Sequence, residues 1–589
     1  MVLVTRRGFG LVKLLYRLII HSISACWRAL PYLFLLALAR FIYRLFITEW
    51  EKVLLQAVRT NDYVKLQLAI RHNANVNIKF NEGKLQNITP LILATIHNHD
   101  VIVAVLLSTG ARVDECDEKG KSALFFACKY GNLSLVQLLL AKGANVNSTT
   151  AEGLSPLIIA CIHSHLHLIN TLLAYKADIK WKSLQGHNAL FSSLGDVHLD
   201  FTNEQDNITL NNRLSIIKIL LKKGSNVESK TVAGWTPLIK ACSLGIAEFV
   251  DIFVSKGADL NASDYIGFTP LSAASQNGWL DIVVYLLDVS NELPKTHKKN
   301  KDKRVVIDKA MTNGTTALVA ACHGGYSDIV FLLLKYGADI NVKFKSGYNA
   351  LMVAIIGGHD DVAFHLIDEG IDISCVNTDN KTDPLFMAVQ HNRYQIAFKL
   401  LEHGADPNTC NKYGWSALMK ACEKNMIDLV ILLLSYHADP NYLKGCWSAL
   451  SIAVCCNYYE VTDILLQNDA VIRDGGCVSQ YSDEEEDNAA PLLVAIETGN
   501  INIVQLLLNY NANPSIVNRK GVSGIALAMA IGNADIVSLL QQFGATTSLT
   551  QKCRLAVIRL YNLLFSNRNN KTTKPQSQAG DEHIKMKEE

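Results

Sequence analysis

The sequence predicts an all-α solenoid of stacked helix pairs, and three observations predict it. A six-residue string recurs thirteen times, most copies stand 33 residues apart, and each is followed at fixed distances by the same turn residues and a leucine-rich segment. A period of that length marks units too small to bury an apolar face alone, so neighbours must stack. The 589 residues therefore do not call for several separate globules, as a chain of this length ordinarily would.

The string reads TPLILA from Thr89 and returns as SALFFA, SPLIIA and NALFSS at 122, 155 and 188, then TPLIKA and TPLSAA at 236 and 269. It continues as TALVAA, NALMVA, DPLFMA, SALMKA, SALSIA, APLLVA and SGIALA from 316 to 523, and a degenerate copy opens at Glu51. With the Pro or Ala after the first residue as anchor, the steps are 33, 33, 33, 48, 33, 47, 33, 34, 33, 32, 42 and 33. The Ser, Thr, Asn or Asp before the anchor suits a helix N-cap, and Pro is tolerated at the first helical position. Leu directly after the anchor and Ala at the fourth position face a neighbour, the small Ala allowing close approach. Gly or Asn then ends the helix (Gly131, Gly245, Gly278, Gly325, Gly358, Asn392, Asn425 and Gly499), because these residues accept a left-handed backbone. A second, leucine-rich helix follows, as in LSLVQLLLAKGANVN from Leu133, and leads into an extended finger.

With its 33-residue period, its T-P-L-x-x-A string and endings such as Gly337-Ala-Asp-Ile-Asn341, residues 51–545 resemble the ankyrin repeat family. The resemblance implies helix-turn-helix units with β-hairpin-like fingers, and a protein that binds other proteins on a concave face and on those fingers. One departure is visible. The family motif carries His after T-P-L, where this chain has Ile, Phe, Met, Val, Leu, Ser or Ala.

Three long steps mark insertions. The first, near 195–212, falls between the two helices of one unit. The second, near 290–310, replaces a finger and carries six Lys/Arg between Lys295 and Arg304. The third, near 472–489, holds the five consecutive acids Asp483 to Asp487. Each reads either as a solvated loop or as a grip on a charged partner.

Two residues before the anchor stand Trp235, Phe268, Tyr348, Trp415 and Trp447, near the finger bases. They read as a recognition stripe for protein, or as aromatics packing on the next finger. His163, His165 and His167 lie at a helix–helix turn without an acid or cysteine in phase, so no metal site is expected. Cys128, Cys161, Cys242, Cys322 and Cys422 each follow an alanine in the same slot and read as small buried hydrophobes rather than disulfide partners. Phosphate-loop, H-E-x-x-H, G-x-S-x-G and kinase motifs do not occur, and Gly120-Lys121-Ser122 is only a fragment of the first. No cofactor, nucleic acid or small-molecule substrate is expected.

Residues 1–48 are of another kind. They contain seven Lys/Arg and no acid, leaving 49 basic against 54 acidic residues in the remainder. The clean apolar run from Ala29 to Ala39 is eleven residues long, against the ~20 a bilayer span needs. Lys13, Arg17 and Arg28 share one narrow helical arc, and Arg40 and Arg44 repeat the spacing after Pro31. These expectations describe two hydrophobic amphipathic helices on an anionic membrane, in-plane or as a hairpin, with their basic face at the headgroups. A cap on the first repeat and a cleaved targeting peptide are the alternatives. Residues 549–565 read as an amphipathic capping helix and 566–589 as a disordered tail. The functional expectation is a non-catalytic scaffold held on a membrane with its repeats in the cytosol. The alternatives are an effector secreted by an intracellular bacterium into a host cell, and an enzyme with an unrecognised site.

Overall fold

The computed structural model describes residues 49–195, 204–292, 304–344, 346–445, 447–473, 490–518 and 521–545. The basic segment 1–48, the acidic run, the expected capping helix 549–565 and the tail 566–589 lie outside the described residues. The chain divides into two compact units: everything to Ala320 with Lys335–Ala338, and Ala321–Leu334 with everything from Asp339 on.

The first unit opens with a helix over 49–60 and the helix Tyr63–Arg71. An antiparallel pair follows, β1 (Phe80–Glu82) and β2 (Leu85–Ile88), with Phe80 opposite Ile88. Six helix pairs come next, with first helices Pro90–Ile96, Ala123–Tyr130, Pro156–Ile162, Ala189–Ser192, Pro237–Leu244 and Pro270–Gln276. Each of the first five of these packs on the first helix of the next pair. In the second unit the first helices are Ala350–Gly357, Pro384–Gln390, Ala417–Glu423, Ala449–Cys455, Pro491–Thr498 and Gly524–Ile531, again packed in sequence order. Their partners, from Asp360–Asp368 to Ala534–Gln542, form a second row in which consecutive helices also touch. Helices Ala317–Gly324 and Ser327–Lys335 stand where the two units divide.

The repeated residues occupy the positions their chemistry requires. The Leu after each anchor, from Leu91 to Leu492, and Ile525 in the last copy are at most 1% exposed. Burying such a side chain is worth ~1.5–3 kcal/mol. The twelve alanines of the fourth slot, Ala94 to Ala528, have no exposed surface, and Ser193, which replaces the thirteenth, is equally covered. Eleven residues before the anchor accept a hydrogen bond from the third helical N–H, as Thr89 Oγ1 does from Ile92 N at 3.3 Å and Asn349 Oδ1 from Met352 N at 3.0 Å. All eight expected helix-ending residues have a left-handed backbone, from Gly131 at φ 79° to Asn425 at φ 56°.

Regular strand pairing is confined, among the described residues, to β1 and β2. The other fingers are tight turns, some closed by a single bridge such as Cys116–Ser122 or Cys410–Ser416. The first insertion also departs from a simple loop, since Glu204–Lys222 is one 19-residue helix where most second helices have nine. Its anchor is Arg213, buried, whose guanidinium donates to Leu194 O at 3.0 Å and Ser164 Oγ at 3.1 Å. This pins the end of the four-residue helix Ala189–Ser192. Gly195, at φ 73°, is needed there, because a Cβ would stand 2.4 Å from that guanidinium.

Candidate protein-binding surface

Most fingers are built by a polar residue that folds the backbone around its own side chain. Asp264 Oδ1 accepts from Ile266 N at 3.0 Å and Phe268 N at 2.7 Å; Asn411 Oδ1 accepts likewise from Tyr413 N and Trp415 N. Such local turns are what Asp and Asn side chains do best. Successive fingers are then joined through their backbones. In the first unit Leu184 N donates to Glu152 O (3.1 Å), Val232 N to Gln185 O (2.9 Å) and Thr312 N to Ile266 O (2.7 Å). In the second, Thr378 N donates to Ser346 O (2.8 Å) and Lys412 N to Asn380 O (2.7 Å).

A second polar ladder runs behind the fingers. Asn147 Oδ1 accepts from Asp178 N at 2.8 Å while its amide reaches Lys176 O; Asn341 Oδ1 accepts from Asp372 N at 2.9 Å. Asn408 takes Asp439 N at 2.7 Å and Asn441 takes Val471 N at 2.7 Å. Each asparagine thus ties its unit to the next.

The five aromatics two residues before the anchor all stand at the closing side of a finger. Phe268 is buried at 8% exposure, and Trp235, Tyr348, Trp415 and Trp447 are half-buried. Trp235 and Phe268 meet at 5.7 Å between ring centroids. Lys444 Nζ lies 4.7 Å and Lys420 Nζ 5.9 Å from the Trp415 ring centre, a cation–π arrangement. Lys444 and Trp447 exchange backbone hydrogen bonds of 2.9 and 3.0 Å, so Trp415 and Trp447 share one lysine. Burial pushes the Tyr348 phenol above its usual range. The membrane-facing residues of the sequence reading, Lys13, Arg17, Arg28, Arg40 and Arg44, lie outside the described residues.

A different set of side chains is most exposed on the fingers. Leu184 (73%), Val232 (65%), Tyr265 (70%) and Ile266 (52%) project from three consecutive fingertips of the first unit. A signal for them was present: Leu184, Val232 and Tyr265 all stand five residues before the anchor, where other copies have Glu118, Ala151, Thr312 or Lys412. Exposed lysines alternate with them. Lys182 Nζ donates to Lys230 O at 2.7 Å, and Lys230 Nζ to Ser263 O at 3.0 Å.

Comparison with known proteins accords with this geometry. The family model for three-copy ankyrin repeats matches residues 54–150, 131–201, 207–300, 291–377 and 385–475, and the single-repeat model matches 487–519. The chain belongs to the ankyrin repeat family. A putative ankyrin repeat protein of fowlpox virus is 31% identical over 212 residues, which is 35% of this chain and 49% of the viral one. One from Acanthamoeba polyphaga mimivirus is 24% identical over 250 residues, 39% of this chain and 32% of its own. The mouse 2-5A-dependent ribonuclease is 43% identical over 61 residues, 10% and 8% of the two chains. This chain thus spans half or less of the length of these relatives. Ankyrin repeats are protein–protein interaction modules, and no enzymatic family is indicated.

The missing histidine of the ankyrin motif has a visible consequence. The residues in its place, Ile92, Phe125, Met352 or Leu493 among them, are buried within the repeats. The polar work at the finger bases falls to the caps and turn residues already described. Histidine is used elsewhere: His165 Nε2 donates to Lys129 O at 3.0 Å and His167 Nε2 to Gly131 O at 2.8 Å, tying one helix pair to the preceding one. Burial lowers the pKa of His163 and of His165. Among the described residues no group of His, Cys, Asp and Glu is placed to hold a metal ion. A shallow depression of about 270 Å³ is lined by Gly325, Gly358, His359, Asp360, Asp361 and Val362. There His359 Nε2 is engaged by His323 O at 2.9 Å, and Asp360 faces Arg393 at 3.8 Å.

Proposed function

We propose that this ankyrin array is a non-catalytic adaptor that holds one or more proteins on its fingers and is tethered to the cytosolic face of a membrane by residues 1–48. The observation that carries the binding half is the repetition of a rigid finger whose outward positions vary from copy to copy while its inward ones do not. Such a design fixes the scaffold and leaves the outer side chains free to specify a partner. Trp235, Phe268, Tyr348, Trp415 and Trp447 are offered as contacts at the finger bases, with the lysine-flanked Trp415 and Trp447 as the pair to test. Support for the tether is compositional: seven basic and no acidic residues interleaved with a strongly apolar sequence. Among the described residues no helix is long and apolar enough to cross a membrane. Delivery by an intracellular bacterium is favoured by no observation, and the relatives above come from viruses and mouse.

Two measurements decide the matter. Residues 1–48 fused to a fluorescent protein are expected to bring it to membranes; a diffuse signal ends the tether. Proximity labelling with the full chain is expected to recover partners that fall at least tenfold when Trp415 and Trp447 are both replaced by Ala, with the fold retained. Undiminished recovery retires those aromatics.

A further inference from the structure

We infer that the three consecutive fingertips bearing Leu184, Val232 and Tyr265 with Ile266 form a docking track for an extended peptide segment of a partner, one in which apolar residues are separated by acidic ones. The inference rests on the protein-binding reading and names the chemistry of the partner. Leu184, Val232 and Tyr265 stand at the same place in three successive fingers with Ile266 beside the last, and all four are more than half exposed. A soluble surface rarely leaves such a row uncovered. The three fingers are joined by the bonds from Val232 N to Gln185 O and from Tyr265 N to Ala233 O.

Charge selects the occupant. Lys182 and Lys230 alternate with the apolar tips, and both ammonium groups rest on backbone carbonyls of the following finger. Among the described residues neither forms an ion pair, so their charge is available to a ligand's carboxylates. Stacked helices stand ~8–10 Å apart, and an extended chain advances ~3.3 Å per residue. A peptide lying along the tips therefore meets a new finger with about every third residue, leaving the positions between for acids that face the lysines.

The test uses the full-length protein and fluorescein-labelled (Leu-Glu-Glu)4, with (Ser-Glu-Glu)4 and (Leu-Lys-Lys)4 as controls, read by anisotropy. Binding of the first is expected, at least tenfold weaker binding of the second, none of the third, and a several-fold loss as salt rises from 50 to 300 mM. The variant Leu184→Ser/Val232→Ser/Tyr265→Ser, checked for an unchanged melting midpoint, is expected to lose tenfold or more in affinity. Equal binding by that variant, or of the lysine peptide, overturns the track, as does a preference for an acidic peptide with leucine at a helical seven-residue spacing. Concentration-dependent self-association abolished by the variant assigns the tips to a second copy of the chain and also overturns it. The two levels of the reading fail differently. Wild-type protein that labels no partner in cells removes the adaptor itself, whereas partners labelled equally by wild type and variant remove only the track.

Discussion

Asp383 occupies a cap position that serine, threonine or asparagine fills in the other capped first helices, and it does so with only 6% of its surface exposed. Its carboxylate accepts from Phe386 N at 2.7 Å and from the hydroxyl of Thr409. Burial nevertheless dominates and pushes its pKa above the usual aspartate range. A carboxyl with a raised folded pKa binds more protons folded than unfolded in the window between its ordinary and raised values. Stability from this group is therefore full below that window and is lost as pH rises through it. Asparagine caps equally well without the charge. Asp383→Asn is thus expected to match or exceed wild type at pH 7, by up to ~1 kcal/mol, with the advantage vanishing towards pH 3. Asp383→Ala, which removes the cap, should cost ~0.5–2 kcal/mol at pH 7. Urea midpoints across pH measure both, and a loss in the Asn variant at pH 7 refutes the buried-charge account.

At the scale of helices, the stacking makes a local prediction. Leu450 is 1% exposed on the helix Ala449–Cys455, which packs against Ala417–Glu423 and Pro491–Thr498. Leu450→Ala should cost ~2–5 kcal/mol locally. Amide exchange is expected to quicken in those two helices and to fade by Pro384–Gln390, because each repeat leans mainly on its neighbours. A uniform rise through the second unit would contradict that. The caps, the left-handed helix ends and the inward Leu and Ala were legible in the sequence because each answers a local rule of backbone or periodicity. The helix start at 204 was not, since the polar run EQDNITLNN shows no apolar period and its order comes through Arg213, bonded to Ser164 49 residues away. The fingers were half legible. That aromatics recur before the anchor is written in the chain, but how far each is covered depends on the next finger. Phe268 is buried where Trp235 is half-open, and the apolar residues five before the anchor, though written in the chain, are turned outward only once the turns close.

Across the whole molecule, identical inner positions serve very different outer ones, so changes to the surface and changes to stability are largely separable. The fully covered thiols carry this further. Cys128, Cys161, Cys242, Cys322 and Cys422 have no exposed surface, and burial drives each far above the normal thiol range. Each belongs to a different repeat, and a sulfhydryl reagent reaches it only when that repeat opens. These five thiols are consequently native clocks, whose order of alkylation under mild denaturant would chart where the array first breathes, without any label being introduced.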